Sequence, residues 1–270
     1  MKYELIATAT FGLEAVVKME LQDLGYSVVK VEDGKVTFIG DERAIVHTNM
    51  WLRTADRVYI KVAEFKAETF EELFQQVLAI GWEDYLTVDA AFPVVGTSVK
   101  STLHSVPSCQ SIIKKAIVSR LSDFYVQNHF DEAGANYRIR FSILKNHVTL
   151  LLDTSGAGLH KRGYRAVDVA APMKETLAAA LVKLSFWKEG VMRRDKDNPD
   201  HVARILVDPC CGSGTILIEA AMMARNIALG LNRKFDAMAW DFIPEELWNE
   251  ERQAAYNAVD YDSEVIIKGF

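Results

Sequence analysis

Residues 206–219 read LVDPCCGSGTILIE, and this stretch decides the fold of the chain around it. A short apolar run ends in Asp208, a turn with Gly212 and Gly214 follows, and residues 216–229 then have a helical pattern. Glycines allow a sharp turn and the close approach of a ligand, while free N–H groups at the helix start face that ligand. The stretch predicts a β–turn–α unit whose ligand site would lie at the carboxyl end of the strand.

The spacing of the glycines argues against two common phosphate-binding turns. A P-loop requires a lysine after its last glycine, whereas Thr215 follows Gly214 directly. A G-x-G-x-x-G dinucleotide turn requires a third glycine where this chain has Leu217. Similar turns also close βα units that bind nothing, so the spacing alone leaves both a cofactor site and a structural turn open.

The three cysteines, Cys109, Cys210 and Cys211, are too few for the disulfide framework of a secreted protein. No C-x-x-C pair or histidine cluster suggests zinc, and no base is identifiable beside a cysteine nucleophile, so we interpret them as packing residues. The sequence shows neither a leader peptide nor an apolar run of membrane-spanning length. These observations predict a cytoplasmic protein with no metal and no membrane partner, and they leave the oligomeric state open.

The charge is distributed unevenly along the chain. The net charge is −6, yet residues 90–165 carry 10 Lys/Arg against 4 Asp/Glu, while residues 1–89 carry 9 against 16. A basic middle between acidic flanks is the electrostatic footprint that nucleic acid requires, although it also occurs as an ordinary solvated face.

Apolar periodicity predicts a small α+β unit over residues 1–65, with a hairpin at Asp33-Gly34. A second unit over residues 66–156 would contain a helix closed by Gly81, a strand near 91–100, a helix over 108–130 and two further strands. A Gly- and Arg-rich connector, residues 157–171, follows.

The last region, residues 172–270, opens with a predicted helix. Pro172 suits its first position, and Leu177, Leu181 and Leu184 form its expected buried stripe. The strand before the glycine turn and a final strand at 264–270 complete this region.

Four stretches together resemble one family. DPCCGSGTILIEAA (208–221) is similar to the D-P-x-C-G-S-G-T-x-x-I-E-A motif of bacterial THUMP-domain S-adenosylmethionine-dependent RNA methyltransferases. Residues 153–165 with 170–182 resemble the family's connector, 98–121 the core of a THUMP domain, and 10–25 its small ferredoxin-like unit. The closest subgroup methylates the exocyclic N2 of guanine in large-subunit ribosomal RNA.

The resemblance implies an α+β N-terminal region, a ferredoxin-like unit plus a THUMP domain, followed by the first part of an α/β Rossmann-like methyltransferase domain. The cofactor would be S-adenosyl-L-methionine and the partner RNA, ribosomal RNA in particular. The implied cofactor-binding residues are Asp208, Pro209, Cys210, Gly212, Ser213, Gly214 and Thr215. The expected RNA-binding residues are Lys100, Lys114, Lys115, Arg120, Arg162 and Arg165. For the two connector arginines, Arg162 and Arg165, a role in domain packing is an equal alternative.

The chain departs from the family pattern in one respect. Such enzymes present the target amine with an Asn/Asp-Pro-Pro-Tyr motif, and this motif is absent from residues 1–270, so no catalytic residue can be assigned. We expect the chain to be truncated within its catalytic domain, to bind the cofactor weakly and to be inactive alone. Two functions stay open: a guanine-N2 RNA methyltransferase, and a non-catalytic THUMP-type RNA-binding protein with an incomplete cofactor domain. A nicotinamide-dependent dehydrogenase is disfavoured by the missing third glycine.

Overall fold

The computed structural model describes residues 1–165, 172–185, 187, 205–263 and 265–270. Its N-terminal half, residues 1–156, combines seven strands with four helices. The strands are β1 (Tyr3–Ala9), β2 (Val28–Glu32), β3 (Lys35–Gly40), β4 (Ala55–Lys66), β5 (Val94–Val99), β6 (Ile139–Leu144) and β7 (His147–Asp153). The helices are α1 (Glu14–Asp23), α2 (Glu42–Trp51), α3 (Phe70–Leu78) and α4 (Val106–Tyr125).

The seven strands form one continuous sheet in the order β2-β3-β1-β4-β7-β6-β5. All neighbours are antiparallel except β5 and β6, which run parallel because α4 connects them. Strand β4 has 12 residues and pairs with β1 on one side and β7 on the other. The two units expected from the sequence therefore share a sheet and a hydrophobic core, although each was expected to be a separate α+β unit.

Local signals set most boundaries of these elements. Gly25 and Gly34 adopt left-handed φ values of 87° and 74°, which end α1 and form the β2–β3 turn as predicted. Asp41, Thr69 and Ser105 cap α2, α3 and α4 through side-chain acceptors. Two predicted helices are shorter than expected: α3 ends at Leu78, before a 3₁₀ turn at Trp82–Asp84, and α4 ends at Tyr125.

The C-terminal half contains α5 (Glu175–Leu184), β8 (Ile205–Asp208), α6 (Thr215–Ala224), α7 (Glu245–Asn257) and β9 (Ile266–Gly269). Strands β8 and β9 pair in parallel, and α5 packs against α6. This arrangement is an α/β layer that packs against the N-terminal half, in agreement with the predicted α/β region.

Helix α5 corrects two details of the sequence analysis. Pro172 is not its first residue, because the helix begins at Glu175. Leu181 and Leu184 are 41% and 48% exposed and do not form the buried stripe. The buried face instead carries small residues, Ala178 and Ala179 among them, and Ala179 packs with Ala220 and Met223 of α6.

The segment between α6 and β9 packs against the N-terminal half. Trp240 stacks on Tyr137 with ring centroids 5.0 Å apart, and its Nε1–H donates to the Asn136 carbonyl at 3.0 Å. Trp248 stacks on Phe235 at 5.3 Å, and all four rings belong to the N-terminal hydrophobic core. Residues 235–257, which the sequence assigns to the methyltransferase region, thus form an arm that joins the two halves.

Candidate functional site

The glycine turn lies between β8 and α6, as the sequence predicts. Asp208 ends the strand and accepts the Cys210 amide at 3.0 Å, and the Gly214 amide donates to the Cys211 carbonyl at 2.8 Å. Gly212 and Gly214 have φ values of 51° and 75°, a left-handed conformation that side-chain-bearing residues rarely adopt. The two glycines are therefore needed by the backbone itself.

The same glycines leave one side of the turn open. A Cβ atom at Gly212 or Gly214 would meet no heavy atom within 4 Å. Helix α6 starts at Thr215 without a side-chain cap, so the N–H groups of its first turn, which form the positive end of the helix dipole, receive no side-chain acceptor at the N-cap position. The geometry suits a ligand that brings acceptor groups to the main chain.

The carboxyl ends of β8 and β9 meet at this turn. The Phe270 amide donates to the Asp208 carbonyl at 3.0 Å, and the Cys211 amide donates to the Phe270 carbonyl at 3.2 Å. In open α/β sheets, ligands bind at this end of the strands. Asp208 and the turn therefore have the position that a cofactor site requires.

The two adjacent cysteines have different surroundings. Cys211 is partly buried and packs against Gly269. A Cβ atom added to Gly269 would come within 2.9 Å of the Cys211 sulfur. This close approach supports the interpretation of Cys211 as a packing residue. Cys210 is exposed, which corrects the packing interpretation for that residue and leaves its side chain at the rim of the turn.

Arg162 lies in a buried interface between the connector and α6. Its side chain is 1% exposed and its Nε lies 3.3 Å from Oε1 of Glu219, whose side chain is fully buried. Its Nη1 donates to the Leu159 carbonyl, and its Nη2 donates to the Arg53 carbonyl and to Glu219 Oε2. This corrects the RNA-binding assignment of Arg162: its guanidinium is buried inside the protein, which is the packing alternative left open above.

The Glu219 carboxylate also binds Tyr164. The Tyr164 hydroxyl donates to Glu219 Oε1 at 3.2 Å, and burial together with the Glu219 charge raises the pKa of this phenol. Nearby, burial lowers the pKa of Arg53 to about 10, although the Glu20 and Glu219 carboxylates oppose that shift. The sequence analysis missed Arg53 and Glu20, because their partners are far away in the chain and leave no local signal.

Arg165 lies at the glycine turn. Its guanidinium donates to Thr215 Oγ1 at 2.8 Å and to Glu175 Oε1 at 2.7 Å. These contacts favour the packing alternative for Arg165, because its side chain is engaged at the glycine turn.

Of the four residues of the N-terminal half that are predicted to bind RNA, three lie on α4 and Lys100 lies just beyond the end of β5. Lys114 forms an ion pair with Glu132 at 2.7 Å, and Arg120 forms one with Glu83. Lys100 and Lys115 are exposed and have no ion pair within the described residues. Lys114 contacts the residues just before β5 while Lys100 follows its end, so β5 separates them by about 20 Å.

A shallow groove of about 500 Å³ lies where α4 passes the start of β5. Its walls contain Lys114 and Lys115, together with Pro93, Val94, Gln110 and Ser111. Lys114 Nζ lies 3.5 Å from the centre of the Phe92 ring, which orients its stem along the groove.

Within the described ranges, His, Cys, Asp and Glu side chains do not gather in groups of three or more that could hold a metal ion. No described helix combines the length and apolarity needed to cross a membrane.

Three family models match successive parts of the chain. The RlmL ferredoxin-like domain matches residues 4–59, the THUMP domain residues 67–153, and the RMKL-like methyltransferase domain residues 162–269. Fold and glycine turn together thus define a protein that joins RNA-binding-type domains to a methyltransferase-type domain.

Known relatives share this whole arrangement. "Putative RNA methyltransferase YpsC" of Bacillus subtilis is 50% identical over 268 residues, which are 98% of this chain and 66% of YpsC. A Listeria monocytogenes structure described as "a predicted N6-adenine-specific DNA methylase" is 52% identical with a TM-score of 0.91, over 100% of this chain and 67% of that one. The structure of "SMU.472, a putative methyltransferase complexed with SAH" is 45% identical with a TM-score of 0.90, over 100% and 68%. The chain belongs to this family of THUMP-domain methyltransferases, and it spans just under two thirds of the length of YpsC.

Proposed function

We propose that the protein is an S-adenosyl-L-methionine-dependent RNA methyltransferase. The observation that carries this proposal is the open glycine turn at the carboxyl ends of β8 and β9, in a chain that also contains a THUMP domain. A relative with 45% identity that is complexed with SAH, the demethylated product of this cofactor, supports the same assignment. When bound, the cofactor supplies the methyl group.

The proposed cofactor site consists of Asp208, Pro209, Cys210, Gly212, Ser213, Gly214 and Thr215. The main-chain N–H groups of Gly212, Ser213 and Thr215 are its principal donors, since the Gly214 N–H already donates to the Cys211 carbonyl within the turn. Thr215 is 3% exposed and its hydroxyl faces Arg165, so this side chain supports the turn and its amide makes the contact.

The proposed RNA-binding surface lies on the N-terminal half and includes Lys100, Lys114, Lys115 and Arg120. Lys100 and Lys115 are its strongest phosphate contacts, because both are exposed and neither has a carboxylate partner in the described chain. Lys114 and Arg120 are weaker contacts, since each must first leave a glutamate. Contacts of this kind position RNA by its backbone and its shape.

For the reaction itself, we propose methylation of the exocyclic N2 of guanine in large-subunit ribosomal RNA, on the basis of the sequence resemblance. The name of the Listeria relative points to adenine N6 in DNA instead. Mass spectrometry of digested RNA and DNA, from cells with and without the gene, separates these reactions. We expect one N2-methylguanosine to disappear from 23S ribosomal RNA, and loss of N6-methyladenine from DNA would overturn the assignment.

The non-catalytic alternative is tested with the natural gene product. Purified protein that binds S-adenosyl-L-methionine but transfers no methyl group to ribosomal RNA from the deletion strain would favour an RNA-binding module. Labelled methyl transfer to that RNA, and not to wild-type RNA that is already modified, supports the enzyme.

Gly214→Ala should weaken binding of S-adenosyl-L-methionine by at least about tenfold. Alanine is strained at a φ of 75° and would rotate the first N–H groups of α6 away from the ligand. Gly25→Ala is the matched control, because Gly25 has a φ of 87°, equally open surroundings and a position in the N-terminal half. Titration calorimetry should show normal affinity for the control, and equal losses in both variants would indicate a general folding defect.

Replacing Lys100 and Lys115 by glutamine should weaken RNA binding and its dependence on salt. Each lost phosphate contact lowers the slope of log K against log salt by roughly 0.7 to 0.9. Lys18→Gln, an exposed lysine of α1, is the control. Fluorescence anisotropy at several salt concentrations measures the slopes, and an unchanged slope in the double variant would exclude these lysines from the surface.

A further inference from the structure

Arg165 connects three segments that are separate in the sequence. Its Nε donates to Glu175 Oε1 on α5 at 2.7 Å, its Nη1 to Ser213 Oγ at 3.3 Å and its Nη2 to Thr215 Oγ1 at 2.8 Å. A fourth contact runs from Nη2 to the Met173 carbonyl at 3.3 Å. The side chain of Arg165 is only 21% exposed and that of Glu175 only 11%.

These contacts add side-chain support around Gly214 to a turn that is otherwise held by the hydrogen bonds of Asp208, Cys211 and Phe270. Both glycines lack side chains, and α6 has no side-chain cap. The hydroxyls of Ser213 and Thr215 lie 3.1 Å apart and both accept from Arg165, which fixes the orientation of the two residues that flank Gly214. Both hydroxyls are thereby held on the side of the turn that faces Arg165.

A direct contact between Arg165 and RNA does not fit this geometry. A guanidinium has five N–H donors, and four of them are used within the protein. The paired donors that would bind a phosphate in bidentate fashion are therefore engaged. The neighbouring connector residues Arg162 and Tyr164 both bind Glu219 of α6. The connector therefore contacts α6 at its first residue, Thr215, and again one turn further along the helix.

We propose that Arg165 is a positioning residue for the methyl-donor site: it holds the Ser213 and Thr215 hydroxyls so that the turn's amides face the cofactor. This inference rests on the proposed function of the turn. It gives the connector from the RNA-binding half a direct part in shaping the cofactor site.

Arg165→Lys in the natural gene product tests the proposal, because lysine keeps the charge but cannot bridge Glu175 and both hydroxyls. We expect the dissociation constant for S-adenosyl-L-methionine to rise about tenfold or more, with RNA affinity unchanged. Arg57→Lys is the control: Arg57 pairs with Asp153, its side chain is 24% exposed, and it lies away from the turn. We expect a similar change in melting temperature in both variants and a loss of cofactor affinity only in Arg165→Lys. This result would show that Arg165 positions the cofactor site and does not act through general stability.

A double-mutant cycle identifies the route of the effect. In a Ser213→Ala/Thr215→Val background, Arg165→Lys should cause little further loss of cofactor affinity, because its two acceptors are gone. The proposal would be overturned if Arg165→Lys caused its full loss of cofactor affinity in the Ser213→Ala/Thr215→Val background as well. It would also be overturned if the single variant Arg165→Lys bound the cofactor within twofold of wild type, or if it lost only RNA binding. If the wild-type protein does not bind S-adenosyl-L-methionine at all, the proposed function fails and this inference fails with it.

Discussion

Trp240→Ala should lower the free energy of unfolding by about 3–5 kcal/mol, the range for deletion of a buried tryptophan. Trp240 is 1% exposed, stacks on Tyr137, and donates to the Asn136 carbonyl. The substitution removes all of these contacts and leaves a cavity where the arm meets the N-terminal core. Urea-induced unfolding followed by circular dichroism gives the change in midpoint.

Trp240→Phe provides the control for this prediction. Phenylalanine can retain much of the stacking on Tyr137 and loses only the Nε1–H donor and part of the ring volume. We expect a clearly smaller loss, closer to 1–2 kcal/mol, from one missing hydrogen bond and a small cavity. If Trp240→Ala costs less than about 1 kcal/mol, the arm only covers the surface and does not contribute to the core.

Glu219→Ala should also destabilise the protein by about 3–5 kcal/mol, because it leaves the Arg162 guanidinium buried without its counter-charge. The two side chains are 0% and 1% exposed, so water cannot compensate. The Tyr164 hydroxyl loses its acceptor in the same variant. Thermal and urea unfolding measure the loss.

Two further variants show whether the effect comes from the buried charge. Glu250→Ala removes an ion pair to Arg43 that also joins the two halves, but both side chains are 58% exposed, and we expect little change. Arg162→Met/Glu219→Leu should recover part of the loss, because an apolar pair leaves no unpaired charge. A double variant that is less stable than Glu219→Ala alone would contradict this explanation.

Whether the sequence predicts the structure of a residue correctly depends on whether that structure is set by its neighbours in the chain. Gly25, Gly34, Gly212 and Gly214 have the left-handed backbone that their positions in the sequence predict, because a turn depends on neighbours in the chain. The buried face of α5 was predicted wrongly, because the elements that pack against a helix in the folded chain select which of its sides is covered. Helical periodicity identifies the apolar residues of a helix, but it does not show whether the face with leucines or the face with alanines is buried.

The sequence by itself determined the glycine turn, the order of the domains and the family, since these depend on short motifs and local backbone preference. Only the tertiary structure decided what the connector arginines do and where residues 235–257 pack. Arg162 finds Glu219 57 positions away, and Trp240 finds Asn136 104 positions away. Such partners are selected by the packing of the whole chain. For this reason the structure places Arg162 in a buried ion pair and Arg165 beside the glycine turn, although their charge and position in the sequence also suggest contacts with RNA.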